Sequence, residues 1–409
     1  MYTNHTFLLS NYSSCNPNTP CPNPLPIKTG IIFKGKVSNQ NPNDTAIINT
    51  SIFGPDGNYY VGGDFLTVEG INCYGIAKWD GIQWSPVAGG FNNAVNALAF
   101  DTYNNLYAGG AFTASADGTT PLLAVAILRQ NSTSWQSVGT LAQSQYTSPF
   151  IKCTVYALCP DPAGNIYIGG DFIYINNSLT AQYGLAVTNA CGTLSSLCGG
   201  VTVATSGTTS VNALTFRRNT LFIGGNFAGI QSTVSANLVA INLLTFPPTP
   251  FAVNTTGATS IVSSLTTDSQ NVYVGTNSGS ALYAGGSSSV AYINFYTAGL
   301  PLVDVKDSNG NYIPVSTALS TTRILNLAIG NCALLICGCF NKATGGTGTV
   351  LANTDVVLYN FAVYQSNTFD SDCIPSNNGI TSIAVDAIGD IYLTYIYGAG
   401  SGIIKILKE

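Results

Sequence analysis

The stretch "YYVGGDF", residues 59 to 65, is a strand-like run that ends on two glycines, a carboxylate and a phenylalanine. A close copy, "YIGGDF", stands at 167 to 172. Aligning on the first glycine gives Gly62, Gly109, Gly169 and Gly224, then the degenerate equivalents Gly275, Cys337 and Thr394. The steps between them are 47, 60, 55, 51, 62 and 57 residues, which makes seven units. Repetition of this kind has to be recognised before a chain of 409 residues is divided into ordinary domains.

Upstream of each glycine lies a second alternating segment: "AIINTSIFG", "AVNALAFD", "TVYALCPD", "SVNALTFR", "IVSSLTTD", "RILNLAIG" and "GITSIAVD". Alternation with period two, rich in Val, Ile and Ala, marks half-buried strands. The intervening turns ("GPDGN", "DTYNN", "DPAGN", "DAIGD" and their variants) are built from residues that accept positive φ or start a hairpin, so the two strands pair. Downstream, "GIAKWDGIQWSPV" supplies two more strands joined at Asp80-Gly81. The expected fold is therefore all-β: a seven-bladed β-propeller of four-stranded antiparallel blades. In it the glycine pair permits a bulge and close backbone approach between blades, and Phe65, Phe112, Phe172, Phe227 and Phe340 pack between neighbours.

The last unit supplies only three strands, near 380 to 386, 390 to 397 and 402 to 408. "GIIFKGKV", 30 to 37, is expected to complete that blade as an N-terminal closing strand. The domain division is then an arm over 1–28 and a propeller over 29–409, and the arm is expected to add as a strand to a neighbouring subunit.

An aliphatic-aromatic strand, Gly-Gly, then strands carrying Trp79 and Trp84, resembles the kelch repeat and the related glycine-rich "YVGG-F" propeller repeats of large surface proteins. The likeness is specific in the first four units, and it implies a scaffold more than an activity.

Thirteen basic and eighteen acidic residues leave no basic patch for a phosphate backbone, so nucleic acid is not an expected partner. The longest apolar runs are strand-length, and no membrane span is expected. No signal peptide is recognisable at the amino terminus. Eleven cysteines and the sequons at Asn4, Asn11, Asn43, Asn49, Asn131, Asn176 and Asn254 nevertheless suggest a glycoprotein at an extracellular or virion surface. A cysteine-rich chain without a signal would fit a large DNA virus assembling in cytoplasm with its own thiol oxidase.

Chemistry is sparse. The single histidine, His5, cannot build a multi-histidine metal site, and a Ser-His-Asp triad is implausible. Arg129, Arg217, Arg218 and Arg323 are too few and too scattered for a carboxylate-binding cluster. "DSNGNY", 307 to 312, lacks the bidentate Glu of a calcium loop and reads as a turn. Asp64 and Asp171 follow the glycine pair, where Ala111 and Asn226 also stand, which favours a structural role. No catalytic residue, metal or cofactor is expected. Disulfides are expected between Cys15 and Cys21 and between Cys191 and Cys198, the latter flanking "GTLSSL" read as a hairpin. Cys153 and Cys159, at the two ends of one strand, cannot bond to each other. Cys332, Cys337, Cys339 and Cys373 leave zinc, a disulfide and buried thiols open, and the state of Cys73 is equally undecided.

The spacing from first strand to glycine motif is nearly constant, so the variation in unit length falls in the loops. "TASADGTTPLL", "IYINNSLTAQYG", "AGIQSTVSAN", "TLAQSQYTSPF" and "KATGGTGTVLANT" are neutral, hydrogen-bonding segments, with Tyr74, Tyr146, Tyr174, Tyr183 and Tyr283 as candidate binding-face residues. The expected function is a non-enzymatic structural or interaction propeller at a virion or cell surface, packing against copies of itself or other surface proteins. The alternative is a carbohydrate-binding adhesin.

Overall fold

The computed structural model describes residues 31–33, 35–39, 45–143, 153–176, 178–189, 192–204, 207–253, 261–267, 271–276, 290–297, 303–304, 314–316, 323–330, 333–339, 342–343, 361–365, 368–370, 380–397 and 400–406. Every regular element among them is a β-strand, and neighbouring strands pair antiparallel. The expected arm over 1–28 lies outside the described residues.

The first sheet is built from Ile47–Phe53, Tyr59–Asp64, Ile76–Trp79 and Trp84–Pro86 in chain order. The second repeats the plan with Val95–Phe100, Leu106–Gly110, Val125–Leu128 and Gln136–Ser137. The third and fourth follow, led by Val155–Pro160 and Ser210–Arg217. Val262–Thr267 leads a larger sheet of six strands, five on one path and one branching from it, and Arg323–Gly330 leads another sheet of four. In the sheet led by Ile380–Val385, the strand Gly400–Ile406 pairs with Ile31–Phe33 in the register Ile32↔Ile404. Each leading strand packs against the next, and Ile380–Val385 packs against Ile47–Phe53. This is the β-propeller arrangement, in which radial repetition leaves only short sheet edges.

The hairpins at Asp101, Asp161 and Asp386 are each closed by an aspartate that bonds its own turn. Asp101 accepts the backbone N–H of Tyr103 and Asn105 at 2.8 and 2.9 Å, and the Asn105 amide at 2.7 Å. Asp161 does the same with Ala163 and Asn165. These are Asx turns, in which the side chain substitutes for a backbone acceptor. In the hairpin of Asp386 the asparagine is replaced by Asp390, and Lys405 neutralises the added carboxylate at 2.8 Å. Trp79 and Trp84 face each other across two strands of the first sheet with ring centroids 5.6 Å apart.

The two glycines of the repeat do different work. A Cβ on Gly62 would stand 2.7 Å from Val95 Cγ1; on Gly169 it would stand 2.6 Å from Val211 Cγ1. Gly109 and Gly224 meet Val155 and Val262 in the same way. In every case the valine belongs to the leading strand of the next sheet. The first glycine is thus a socket for a neighbour's side chain. The second glycine crowds backbone of its own sheet: a Cβ on Gly170 would lie 2.3 Å from Thr154 O, and Gly63, Gly110 and Gly225 face the same restriction. There the register slips by one residue, between Ile48 and Thr50, between Val155 and Ala157 and between Val211 and Ala213, which is a β-bulge. The slip persists between Ile324 and Asn326 and between Ile380 and Ser382, where the glycine pair is absent. The bulge is therefore more general than the glycine that marks it.

Phe65, Phe112, Phe172 and Phe227 are all buried, each among residues of two sheets. Phe172, for example, sits with Tyr107 and Val125 of the second sheet and Ile168 of the third. Burying such a ring stabilises by about 1.5–3 kcal/mol. Phe340 lies outside the described residues.

If the socket holds sheets together, Gly109→Ala should lower the unfolding free energy by about 1–3 kcal/mol through overpacking. Gly109→Ala combined with Val155→Ala should cost less than the sum of the single changes, because the valine methyls that clash are gone. Urea titration of the four proteins reads the coupling; strict additivity would contradict the contact.

Candidate functional site

One side of the molecule carries the turns of the leading hairpins, and the other carries the long connections. The long connections are not free loops. The segment arriving from one sheet adds to the loop of the next as a short ladder: Val37–Ser38 pairs Thr67–Val68, Leu141–Ala142 pairs Tyr174–Ile175, and Val201–Thr202 pairs Gly229–Ile230. Each ladder opposes two buried aliphatics, Val37 to Val68, Leu141 to Ile175 and Val201 to Ile230. The chain turns through glycine into the ladder at Val201 and into the isolated bridge Phe91↔Ser115: Gly200 and Gly90 have φ near +85° and +75°, and a Cβ on Gly90 would lie 2.4 Å from Tyr74 O. A polar loop with one apolar residue in its short strand becomes a lid over the sheet edge.

Within this layer the candidate tyrosines separate. Tyr74 is partly exposed and held at φ +49°. Tyr174 is half-buried in its ladder, and Tyr183 is half-buried against the core of the fourth sheet. Tyr146 and Tyr283 lie outside the described residues.

At the inner end of the same side, the residue displaced in four of the bulges bonds toward the next sheet. Asn49 donates to Val95 O at 3.3 Å and to Asn96 Oδ1 at 2.9 Å. Asn96 donates to Val155 O at 3.5 Å, Asn212 to Val262 O at 3.1 Å, and Thr381 to Ile48 O at 2.6 Å. The acceptor is always the carbonyl of the aliphatic residue that precedes the next bulge. Tyr156 and Ser263 depart from the series: Ser263 donates to Gly275 O of its own sheet at 3.2 Å, and the Tyr156 hydroxyl donates to Asp171 Oδ2 at 3.0 Å, while Asp171 Oδ1 accepts the Thr154 N–H at 2.6 Å. Burial and the neighbouring Asp171 charge push the Tyr156 phenol up to about 12. Tyr156 is partly exposed, so an aromatic face backed by a carboxylate stands among neutral amides. The bulge residues escaped the sequence reading, although the signal was present as an amide or hydroxyl directly after the first aliphatic of a leading strand: Ile48-Asn49, Val95-Asn96, Val211-Asn212, Val262-Ser263 and Ile380-Thr381.

Of the expected Cys191–Cys198 bridge only Cys198 is among the described residues. Cys198 is a free thiol whose sulfur donates to Pro248 O at 3.6 Å. The segment before Cys198 contains the strand Leu194–Ser196. Cys191, Cys15 and Cys21 lie outside the described residues. Cys73, Cys153, Cys159 and Cys337 are buried thiols, and burial pushes Cys73 up to about 11 and Cys159 up to about 12. No group of three or more metal-ligating side chains occurs among the described residues, and none of their helices could cross a membrane, since there are none.

No protein-family model and no curated protein matches the chain. Solved structures do. The WD40 β-propeller domain of Doa1 aligns over 92% of this chain and 97% of its own at 13% identity and a TM-score of 0.49. PorZ, a surface component of the type-IX secretion system of Porphyromonas gingivalis, aligns over 92% of this chain at 12% identity and a TM-score of 0.52. The chain spans 48% of PorZ. An oligogalacturonate lyase of Vibrio parahaemolyticus aligns over 93% of this chain and 99% of its own, at 9% identity and a TM-score of 0.50. At these identities the likeness bears on fold alone.

The repeat also predicts a titration. Tyr167 donates to Asp161 Oδ2 at 3.0 Å, whereas the equivalent Tyr107 hydroxyl is buried with no hydrogen-bond partner among the described residues. Burial, then the Asp101 charge, push Tyr107 up to about 12 from an ordinary value of 10.0. A raised phenol favours the fold while protonated in both states, so this stability is present below about pH 10 and lost as pH rises through about 12. Urea midpoints measured from pH 8 to pH 12 should fall over that window. Tyr107→Phe should be neutral or stabilising at pH 8 and should flatten the alkaline fall, while Tyr167→Phe should cost about 1 kcal/mol.

Proposed function

We propose that the chain is a seven-bladed β-propeller whose last blade is completed by the strand Ile31–Phe33, and that it serves as a non-enzymatic structural or interaction scaffold on a virion or cell surface, assembling with copies of itself. The observation that carries the reading is the turn 243–248 between the third and fourth strands of the fourth sheet. Leu244 is 74% exposed and Phe246 fully so, beside Pro247 and Pro248. Ile82, in the corresponding turn of the first sheet, is 85% exposed. Apolar tips held by a rigid ring are suited to partner contact, and each such side chain contributes about 1.5–3 kcal/mol when covered. With only 8% charged residues, two copies meet with little ionic desolvation or repulsion.

A carbohydrate-binding adhesin is the second reading, favoured by Tyr156 and its carboxylate partner Asp171 among neutral amides. Ring stacking plus a few hydrogen-bonding groups is the chemistry that holds a sugar.

Sedimentation velocity over a hundredfold range of concentration should show reversible association of the full chain. Leu244→Ser with Phe246→Ser should weaken it at least tenfold without changing thermal stability. Unchanged association in that variant, or a strictly monomeric wild type, would overturn self-assembly. Binding to a glycan array that Tyr156→Ala abolishes would support the adhesin instead.

A further inference from the structure

Seven Asn-x-Ser/Thr sequons share one motif, but the three whose asparagines are described, Asn49, Asn131 and Asn176, sit in different chemistry. An N-glycan replaces one hydrogen of the side-chain amide nitrogen and needs open solvent around it.

Asn49 is the bulge residue of the first sheet. Its amide nitrogen donates both to Val95 O and to Asn96 Oδ1, so it lies in the seam with the second sheet and is half-buried. A sugar on that nitrogen would occupy the space of the neighbouring leading strand. Asn176 ends a ladder at φ +50°; its Oδ1 accepts the Thr140 N–H at 3.1 Å and its amide donates to Leu194 O at 2.9 Å. The same Oδ1 lies 2.6 Å from where a Cβ on Gly139 would be, so this asparagine is seated over the incoming chain. A glycan there would unseat the ladder.

Asn131 shares exposure and a positive φ with Asn176 but differs in its partners. It lies in the turn 129–135 between the third and fourth strands of the second sheet, at φ +65°, a conformation that asparagine tolerates better than most residues. Ser132 N–H bonds Arg129 O at 2.9 Å, which holds the turn by its backbone. Asn131 and Thr133 are exposed, and the Asn131 amide makes no hydrogen bond among the described residues. Its sequon, Asn131-Ser132-Thr133, carries threonine at the acceptor-defining position.

We infer that Asn131 is an N-glycan acceptor of the folded protein, and that Asn49 and Asn176 are structural asparagines whose sequons stay unmodified. The glycan would project from the turn side of the second sheet, two sheets from the Leu244 and Phe246 tip.

The full chain, carried behind a cleavable signal and expressed in a secretory eukaryotic host, tests this. The folded fraction from size exclusion is deglycosylated with peptide:N-glycosidase F in heavy-oxygen water, and each sequon peptide is read by mass spectrometry. Labelled aspartate at position 131 with unconverted Asn49 and Asn176 is the expected result. Asn131→Gln should lose one electrophoretic mobility step with unchanged thermal unfolding. Asn49→Gln and Asn176→Gln should lose no step but melt at lower temperature. An unoccupied Asn131, or an occupied Asn49 or Asn176 in the folded fraction, would overturn the assignment. A chain keeping Asn131 as its lone sequon, translated into microsomes, gives a readout independent of folding: one mobility step supports the inference and none contradicts it.

Discussion

The structure depends on an absence: the Cβ that Gly62, Gly109, Gly169 and Gly224 do not have. In its place stands a methyl of Val95, Val155, Val211 or Val262, at distances that no side chain on the glycine would tolerate. Because the glycine closes one sheet and the valine opens the next, each contact ties sequence neighbours into spatial neighbours. Phe112, Phe172 and Phe227 fill the remaining space beside these sockets. Close packing of this kind transmits position, so the angle between successive sheets is set by side chains and not by loops.

A second set of interactions turns this stacking into a directional one. The bulge displaces one residue from the ladder, and at Asn49, Asn96, Asn212 and Thr381 its amide or hydroxyl reaches a carbonyl of the next sheet. The same groups that make the composition look suited to sugars are therefore largely consumed in holding sheets together. The pattern is interrupted at Tyr156, bonded to Asp171, and at Ser263, bonded to Gly275 O of its own sheet. The connecting segments add a third layer, since their short ladders tie each incoming segment to the loop of the next sheet.

Much of this was legible in the chain. The alternation in "AVNALAF" and "SVNALTF" fixes which residues face a neighbouring sheet, and the glycine pair marks the strand end, so sheet plan, pairing order and the buried phenylalanines follow from pattern alone. What escaped was anything set by a residue's partner across sheets. Asn49 and Asn131 both stand in sequons, yet one is clamped between carbonyls and the other is open. The neutral loops looked free because Leu141 and Ile175 are single apolar residues in polar surroundings, too short a signal for a strand. Cys191 and Cys198 flank glycine and serine, which suggested a turn, whereas Leu194–Ser196 is held extended by pairing with Ala186–Thr188.

The central claim is that the sheets form one cooperative ring in which the last and first are joined as firmly as any other pair. Native-state hydrogen exchange in increasing sub-denaturing urea measures this on the leading strands. The account predicts that the most protected amides of Ile47–Phe53 and Ile380–Val385 exchange with the same opening free energy and the same urea dependence as those of Val155–Pro160. Opening of the sheet led by Ile380–Val385 at markedly lower free energy, with the others still protected, would show that it is an appended unit and that the ring is not closed there.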